Sequence, residues 1–164
     1  MARALIVGCG CRGRELGGSL LERGWQVRGT TRSADRLAAI ESAGIEAVIA
    51  DPDRIGTLVE QVGDVALIFW LLGSATGEPE AVAALHGPRL ARMLEEIVDT
   101  PVRGFVYEAF GPLPSDLIVG AMETLRAAGE RWRIPFEVVD AVGGELELWR
   151  AGMLAAADEL IGGP

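Results

Sequence analysis

The sequence predicts a doubly wound α/β fold: about six parallel strands, helices on both faces of the sheet, and a C-terminal helix. Three observations carry this expectation. Short apolar runs alternate with amphipathic segments along the chain, the order of strand and helix in a parallel sheet. Residues 65–72 are continuously apolar, as befits a strand covered on both faces. No repeat, low-complexity tract or linker interrupts the 164 residues, so one domain spanning 1–164 is expected.

Residues 4–7 form the first apolar run and end at Gly8. Residues 14–23 carry Leu16, Leu20 and Leu21 at helical spacing and stop at Gly24. Residues 25–31 read as a second strand, 34–42 as a helix with Leu37 and Ile40 on one face, and 46–50 as a third strand. Asp51 and Pro52 open a helix expected to run to Val62, before the apolar fourth strand at 65–72. Residues 79–98 have helical patterning but contain Gly87-Pro88, which predicts a break or kink before Leu90, Met93, Leu94 and Ile97 resume the stripe. A fifth strand is expected over 104–109, a helix over 116–128, a sixth strand over 136–139, and a last helix over 145–161. That last helix presents Leu146, Trp149, Met153, Ala157 and Leu160, a stripe that fits either the domain's own sheet or a homodimer contact.

A net charge of −9 argues against nucleic acid or an anionic membrane surface as a partner, since both require a basic face. The longest apolar run falls far short of the ~20 residues of a membrane helix, so neither a membrane span nor export is expected, and a cytoplasmic location is. Cys9 and Cys11 stand too close in a glycine-rich turn to favour a mutual disulfide. With no second cysteine pair and one histidine, no metal site is expected. Residues 1–36 hold Arg3, Arg12, Arg14, Arg23, Arg28, Arg32 and Arg36 against three acids, so an acidic chain keeps a basic segment. All 15 basic residues are arginine.

Gly8-Cys9-Gly10-Cys11-Arg12-Gly13 has the G-x-G-x-x-G spacing, and it follows a predicted strand and opens a predicted helix. Gly8 would permit the tight turn and Gly10 the approach of a pyrophosphate. Gly13, with Gly17, would let the helix lie on the sheet, and the first amides of the helix, from Cys11 and Arg12 onward, would face the phosphates. This predicts a Rossmann fold holding a nicotinamide dinucleotide. At the end of the second strand, where an NAD site usually carries an acid, residues 25–34 contain none. Thr31, Arg32 and Ser33 stand there instead, suited to a 2′-phosphate, and Arg12 and Arg36 are candidates to add charge. NADP is therefore the expected cofactor, ahead of NAD.

Several segments resemble the atypical and extended short-chain dehydrogenases, in particular the NAD-dependent epimerase/dehydratase branch. They are Ala4-Leu-Ile-Val-Gly-Cys-Gly, Leu20-Leu-Glu-Arg-Gly-Trp-Gln-Val, Gly29-Thr-Thr-Arg-Ser and Ala50-Asp51, and more loosely Gly104-Phe-Val-Tyr and Arg133-Ile-Pro-Phe-Glu-Val-Val. The resemblance implies that Asp51 lies near the adenine and that residues 71–74, including Leu72 and Gly73, lie near the nicotinamide ribose. It also implies a tyrosine followed four residues later by a lysine, the family's proton-transfer pair. This chain has no lysine, and its one tyrosine, Tyr107, is followed at that distance by Gly111. Only one helix follows the sixth strand, where the full-length enzymes carry a substrate-binding extension.

No catalytic residue can be assigned from the sequence. Tyr107 and Glu108, at the end of the fifth strand, are candidates to face a nicotinamide, with core placement as the alternative. His86 is expected as a helix-end cation or surface residue, with catalysis the less favoured role. A helix start beside Cys9 and Cys11 can lower a thiol's pKa, while small-residue packing is the simpler role. Trp70 should be buried, and Trp132 and Trp149 should cover a groove or a partner. Two functions stay open: a small NADPH-dependent reductase acting by positioning alone, or a non-catalytic NADP(H) sensor of the NmrA-like kind.

Overall fold

The computed structural model describes residues 2–140 and 145–162. Six strands form one sheet: β1 (Arg3–Val7), β2 (Gln26–Thr31), β3 (Glu46–Ile49), β4 (Leu67–Trp70), β5 (Gly104–Glu108) and β6 (Phe136–Val139). Their order is β3-β2-β1-β4-β5-β6 and every neighbouring pair is parallel. This is the doubly wound order, in which the chain winds outward in both directions from β1 and β4.

Alternation along the strands divides the core in two. Leu5, Val7, Ile68, Trp70, Phe105 and Tyr107 point to the face covered by α3 (Ile55–Val59), α4 (Pro79–His86), α5 (Pro88–Glu96) and α6 (Ser115–Trp132). Ala4, Ile6, Leu67, Phe69 and Val106 point to the face covered by α1 (Cys11–Glu22), α2 (Leu37–Ser42) and α7 (Leu146–Ile161). Trp70 and Trp149, one in each half, have no exposed surface, and a large apolar side chain buried in this way contributes roughly 1.5–3 kcal/mol.

All six strands fall where the sequence predicts them, within two residues at their ends, but several helices differ. Helix α1 begins at Cys11, three residues before the expected start at Arg14, with Gly10 as its N-cap. The second helix is divided into a 3-10 turn at Ala34–Arg36 and α2. The helix expected from Asp51 to Val62 shrinks to α3. The Asp51 carboxylate accepts the Asp53 amide at 2.9 Å, and the Thr57 hydroxyl donates to the Asp51 and Arg54 carbonyls, so local side-chain bonds hold a turn in place of the first helical turns. Pro88 opens α5, which makes two helices of the segment around Gly87-Pro88.

Helix α7 covers the chain's own sheet, over β5 and β6 and against α1. Its stripe of Trp149, Met153, Ala156 and Ala157 is buried there, whereas Leu148 is exposed. Trp132 is half-buried against the opposite core. Among the described residues no helix is long and apolar enough to cross a membrane.

Candidate functional site

Because the connections from β1 and β4 diverge, the loops after these two strands leave a crevice at the carboxyl edge of the sheet. A cleft of about 330 Å³ lies there. Gly8, Cys9 and Gly10 form one wall with the ends of β2 and β3, from Thr30 to Ser33, Arg36, Ala50 and Pro52. Leu71, Leu72, Ser74 to Thr76 and Leu85 form the other. Gly8, Gly10, Thr31, Arg32, Ser33 and Leu72 of the sequence-predicted site are thus brought together. Cys11, Arg12, Gly13, Asp51 and Gly73 do not line the cleft.

The glycine turn is tied to its neighbours on both sides. Gly8 has φ +84°, and a Cβ there would stand 2.6 Å from the Leu71 carbonyl oxygen, so both conformation and space require glycine. Its amide donates to Thr30 Oγ1 at 3.2 Å, and the Cys9 amide donates to the Thr30 carbonyl at 2.9 Å. A Cβ on Gly10 would meet nothing within 4 Å, so this side of the turn is open. Gly10 also caps α1 without a side-chain hydrogen bond, and the first turn of the helix contains no acid. Gly13 and Gly17 serve packing: a Cβ on Gly13 would stand 3.2 Å from Ile6, and one on Gly17 would collide with Ile45.

The two cysteines separate. Cys9 is buried with its sulfur against Gly29, where a Cβ would come within 2.6 Å of it. Burial pushes this thiol up to about 12, against the smaller opposing effect of Arg14. Cys9 thus takes the packing role, since lost hydration disfavours its thiolate. Cys11 is exposed and lines a separate groove between α1 and α2.

The basic segment does not form one basic corner. Arg28 is buried at the opposite edge of the sheet, paired with Glu46 at 3.0 Å and Asp64 at 2.8 Å, and Arg3 joins the same cluster. Arg12 does not add charge at the β2 end. Its guanidinium lies 4.3 Å from the Phe110 ring centre and 5.5 Å from that of Trp149, a cation–π arrangement beyond β5. Arg32 and Arg36 remain on the cleft wall. An acid stands here after all: Asp53, from the turn after β3, pairs with Arg32 at 3.8 Å and accepts the Arg89 Nε at 3.1 Å. The Asp51 carboxylate holds that turn rather than facing the cleft.

Beneath the other wall are two buried polar clusters that sequence patterning does not reveal. Glu108 is 3% exposed and accepts the Gly73 amide at 3.1 Å on one oxygen and Trp149 Nε1 at 2.7 Å on the other. Burial raises its pKa, opposed by those two hydrogen bonds and by the Arg12 charge. A Cβ on Gly73 would collide with the Phe110 carbonyl, so Gly73 is a close-approach glycine. On the other face the Tyr107 hydroxyl lies 2.5 Å from His86 Nδ1, and His86 Nε2 lies 3.1 Å from the Leu72 carbonyl. A carbonyl only accepts, so Nε2 carries the proton and Nδ1 accepts from the tyrosine. Burial lowers the His86 pKa and raises that of Tyr107.

The expected cationic or surface His86 is thereby corrected: it is 1% exposed and linked inward. Tyr107, wholly buried, takes the core alternative. The partners lie 14 to 41 residues apart, beyond any helix or strand period. The one signal available was the confinement of the only tyrosine and an acid to an otherwise apolar strand. No group of three metal-ligating side chains occurs among the described residues.

No protein-family profile and no curated protein matches the chain. Solved structures do. A protein assigned as an NAD-dependent epimerase/dehydratase from Bacillus halodurans superposes with TM-score 0.70 at 15% identity, over 85% of this chain and 70% of that one. UDP-glucuronic acid 4-epimerase from Bacillus cereus, in complex with NAD, gives 0.67 at 13% identity, over 83% and 54%. A short-chain dehydrogenase/reductase superfamily protein from Agrobacterium tumefaciens with bound NAD gives 0.67 at 18%, over 83% and 48%. The chain therefore has the Rossmann fold of the epimerase/dehydratase and short-chain dehydrogenase structures, and it spans about half the length of most of those it matches.

Proposed function

We propose that the chain binds a nicotinamide dinucleotide across this cleft and prefers NADP(H) to NAD(H). The pyrophosphate would lie over Gly10 at the start of α1, with the 2′-phosphate at Thr31, Arg32, Ser33 and Arg36. Ala50 and Pro52, which line the cleft, would flank the adenine, and Leu72 and Ser74 would lie toward the nicotinamide ribose. The observation that carries the reading is the glycine turn. Gly8 is locked against Leu71 by its conformation, while Gly10 leaves open space at a helix start with no side-chain cap and no first-turn acid. Such a helix end has amide donors and a positive dipole with no anion of its own to meet them.

The cofactor would supply a hydride, and the residues of this chain would bind and orient it. A second observation bears on the choice between catalysis and sensing. Tyr107 and Glu108, the polar groups at the end of β5, are both buried and hydrogen-bonded to the protein itself. Neither presents a proton to the cleft in this arrangement, which supports a nucleotide-responsive binding protein and leaves only a reductase acting by positioning alone as the alternative.

Calorimetric titration with NADPH, NADP⁺ and NADH tests the binding claim. One saturable site, tightest for the phosphorylated forms, is expected, and no heat with any of the three would overturn the reading. Consumption of NADPH against a panel of carbonyl compounds and quinones separates the two roles. Sustained turnover would decide for the reductase.

A further inference from the structure

We propose that Asp53 sets the nucleotide preference of the cleft by holding the Arg32 guanidinium, so that discrimination between NADP(H) and NAD(H) is modest. The inference rests on the dinucleotide reading and deepens it. An acid at the end of β2 ordinarily selects NAD, and β2 lacks one. The turn after β3 supplies a carboxylate to the same corner, 3.8 Å from Arg32, in the residue that follows the cleft-lining Pro52.

Asp53 is the fixed member of this pair. Its amide donates to the Asp51 carboxylate at 2.9 Å, the Arg54 amide donates to the Asp51 carbonyl at 2.8 Å, and the Asp51 amide donates to Thr57 Oγ1 at 2.8 Å. The turn thus stands without help from Arg32, whose side chain is about half exposed on the cleft wall. A 2′-phosphate reaching for Arg32 must compete with Asp53 and approach its negative charge. The neutral 2′-hydroxyl of NAD(H) meets no such opposition. Arg89, at the start of α5, offsets the effect by occupying the other carboxylate oxygen. Asp53 is thus a positioning residue, acting on the nucleotide through Arg32.

The test is calorimetric titration of the whole chain with NADPH and with NADH at low ionic strength, for the wild type, Asp53→Asn and Arg89→Gln. Asp53→Asn keeps the shape of the side chain and should tighten NADPH by roughly three- to fivefold, the scale of one exposed ion pair, while NADH moves by less than about twofold. The gain should shrink as salt is added. Arg89→Gln leaves the Asp53 turn untouched and should shift preference the other way, which carries the test should the first variant fail to fold. Both nucleotides bound with an unchanged ratio in the variants, or a lowered NADPH preference in Asp53→Asn, overturns this proposal alone. No binding of either nucleotide by the wild type overturns it together with the dinucleotide reading.

Discussion

The Trp149 indole donates to Glu108 Oε2 at 2.7 Å and so joins the C-terminal helix to the carboxyl end of the central sheet. The other oxygen of the same carboxylate takes the Gly73 amide, so one buried acid ties α7 to the loop after β4. Trp149→Phe keeps most of the apolar contact and removes the donor. A buried polar atom left without its partner costs about 1–3 kcal/mol. In a chain of this length that corresponds to a fall of roughly 3–10 °C in Tm, measurable by differential scanning calorimetry.

His86 is the one histidine, so its ring resonances can be followed without overlap. Burial holds its pKa below the ordinary 6.5. The unfolded chain therefore binds more protons than the folded one between the folded value and 6.5. This contribution to stability is complete above 6.5 and is lost as pH falls through that window. Glu108 has the opposite sign: its raised pKa makes stability fall as pH rises above the ordinary carboxylate range, and Glu108→Gln should remove that part. A heteronuclear NMR titration should find the neutral form of His86 in the majority at pH 6.5, with its proton on Nε2. A pKa at or above 6.5 would contradict the buried arrangement.

Gly8 and Gly10 should respond differently to substitution. Gly10→Val points into open space but puts a poor N-cap at the start of α1, so it should lower Tm by no more than about 1–5 °C while abolishing measurable nucleotide binding. Gly8→Ala meets both a positive φ and the Leu71 carbonyl and should destabilise the fold itself, by about 1–3 kcal/mol or more. Thermal melts paired with calorimetric titration check both. Unchanged nucleotide affinity in folded Gly10→Val would remove the pyrophosphate from this turn.

Tyr107→Phe removes a hydroxyl that faces His86 and not the cleft. Any NADPH turnover should therefore change by much less than the ~100-fold or more typical of a lost general acid. Stability should fall by about 1–3 kcal/mol, because the buried His86 Nδ1 is left without its donor. Loss of turnover with binding intact would show that the tyrosine reaches substrate.

Arg32→Ala should weaken NADPH more than NADH. A charged hydrogen bond to phosphate is worth about 1.5–3 kcal/mol when well made. Arg32 is half exposed and already paired with Asp53, so the effect should sit nearer the exposed-pair range of about 0.2–1 kcal/mol, a factor of five or less. Isothermal titration at two salt concentrations checks both size and screening. Equal losses for the two nucleotides would make Arg32 a support for its loop.

The sequence by itself was sufficient for the parallel sheet and its glycine turn, because the governing constraints are local. An apolar run marks a buried strand, Gly8 alone permits a turn at φ +84°, and Leu16 and Leu20 repeat with the period of a helix lying on the sheet. Local bonding also explains why the helix expected from Asp51 is short: Asp51 and Thr57 satisfy their own backbone and hold a turn where apolar spacing suggested a helix. The tertiary structure alone decided the direction of Arg12, the separation of Arg28 from Arg32, and the arrival of Asp53 at the β2 end. It also closed His86 against Tyr107 and Glu108 against Trp149 and Gly73. Each of these is a polar contact between different loops, strands or helices. Desolvation makes such contacts obligatory once the groups are buried, but no periodicity names the partner.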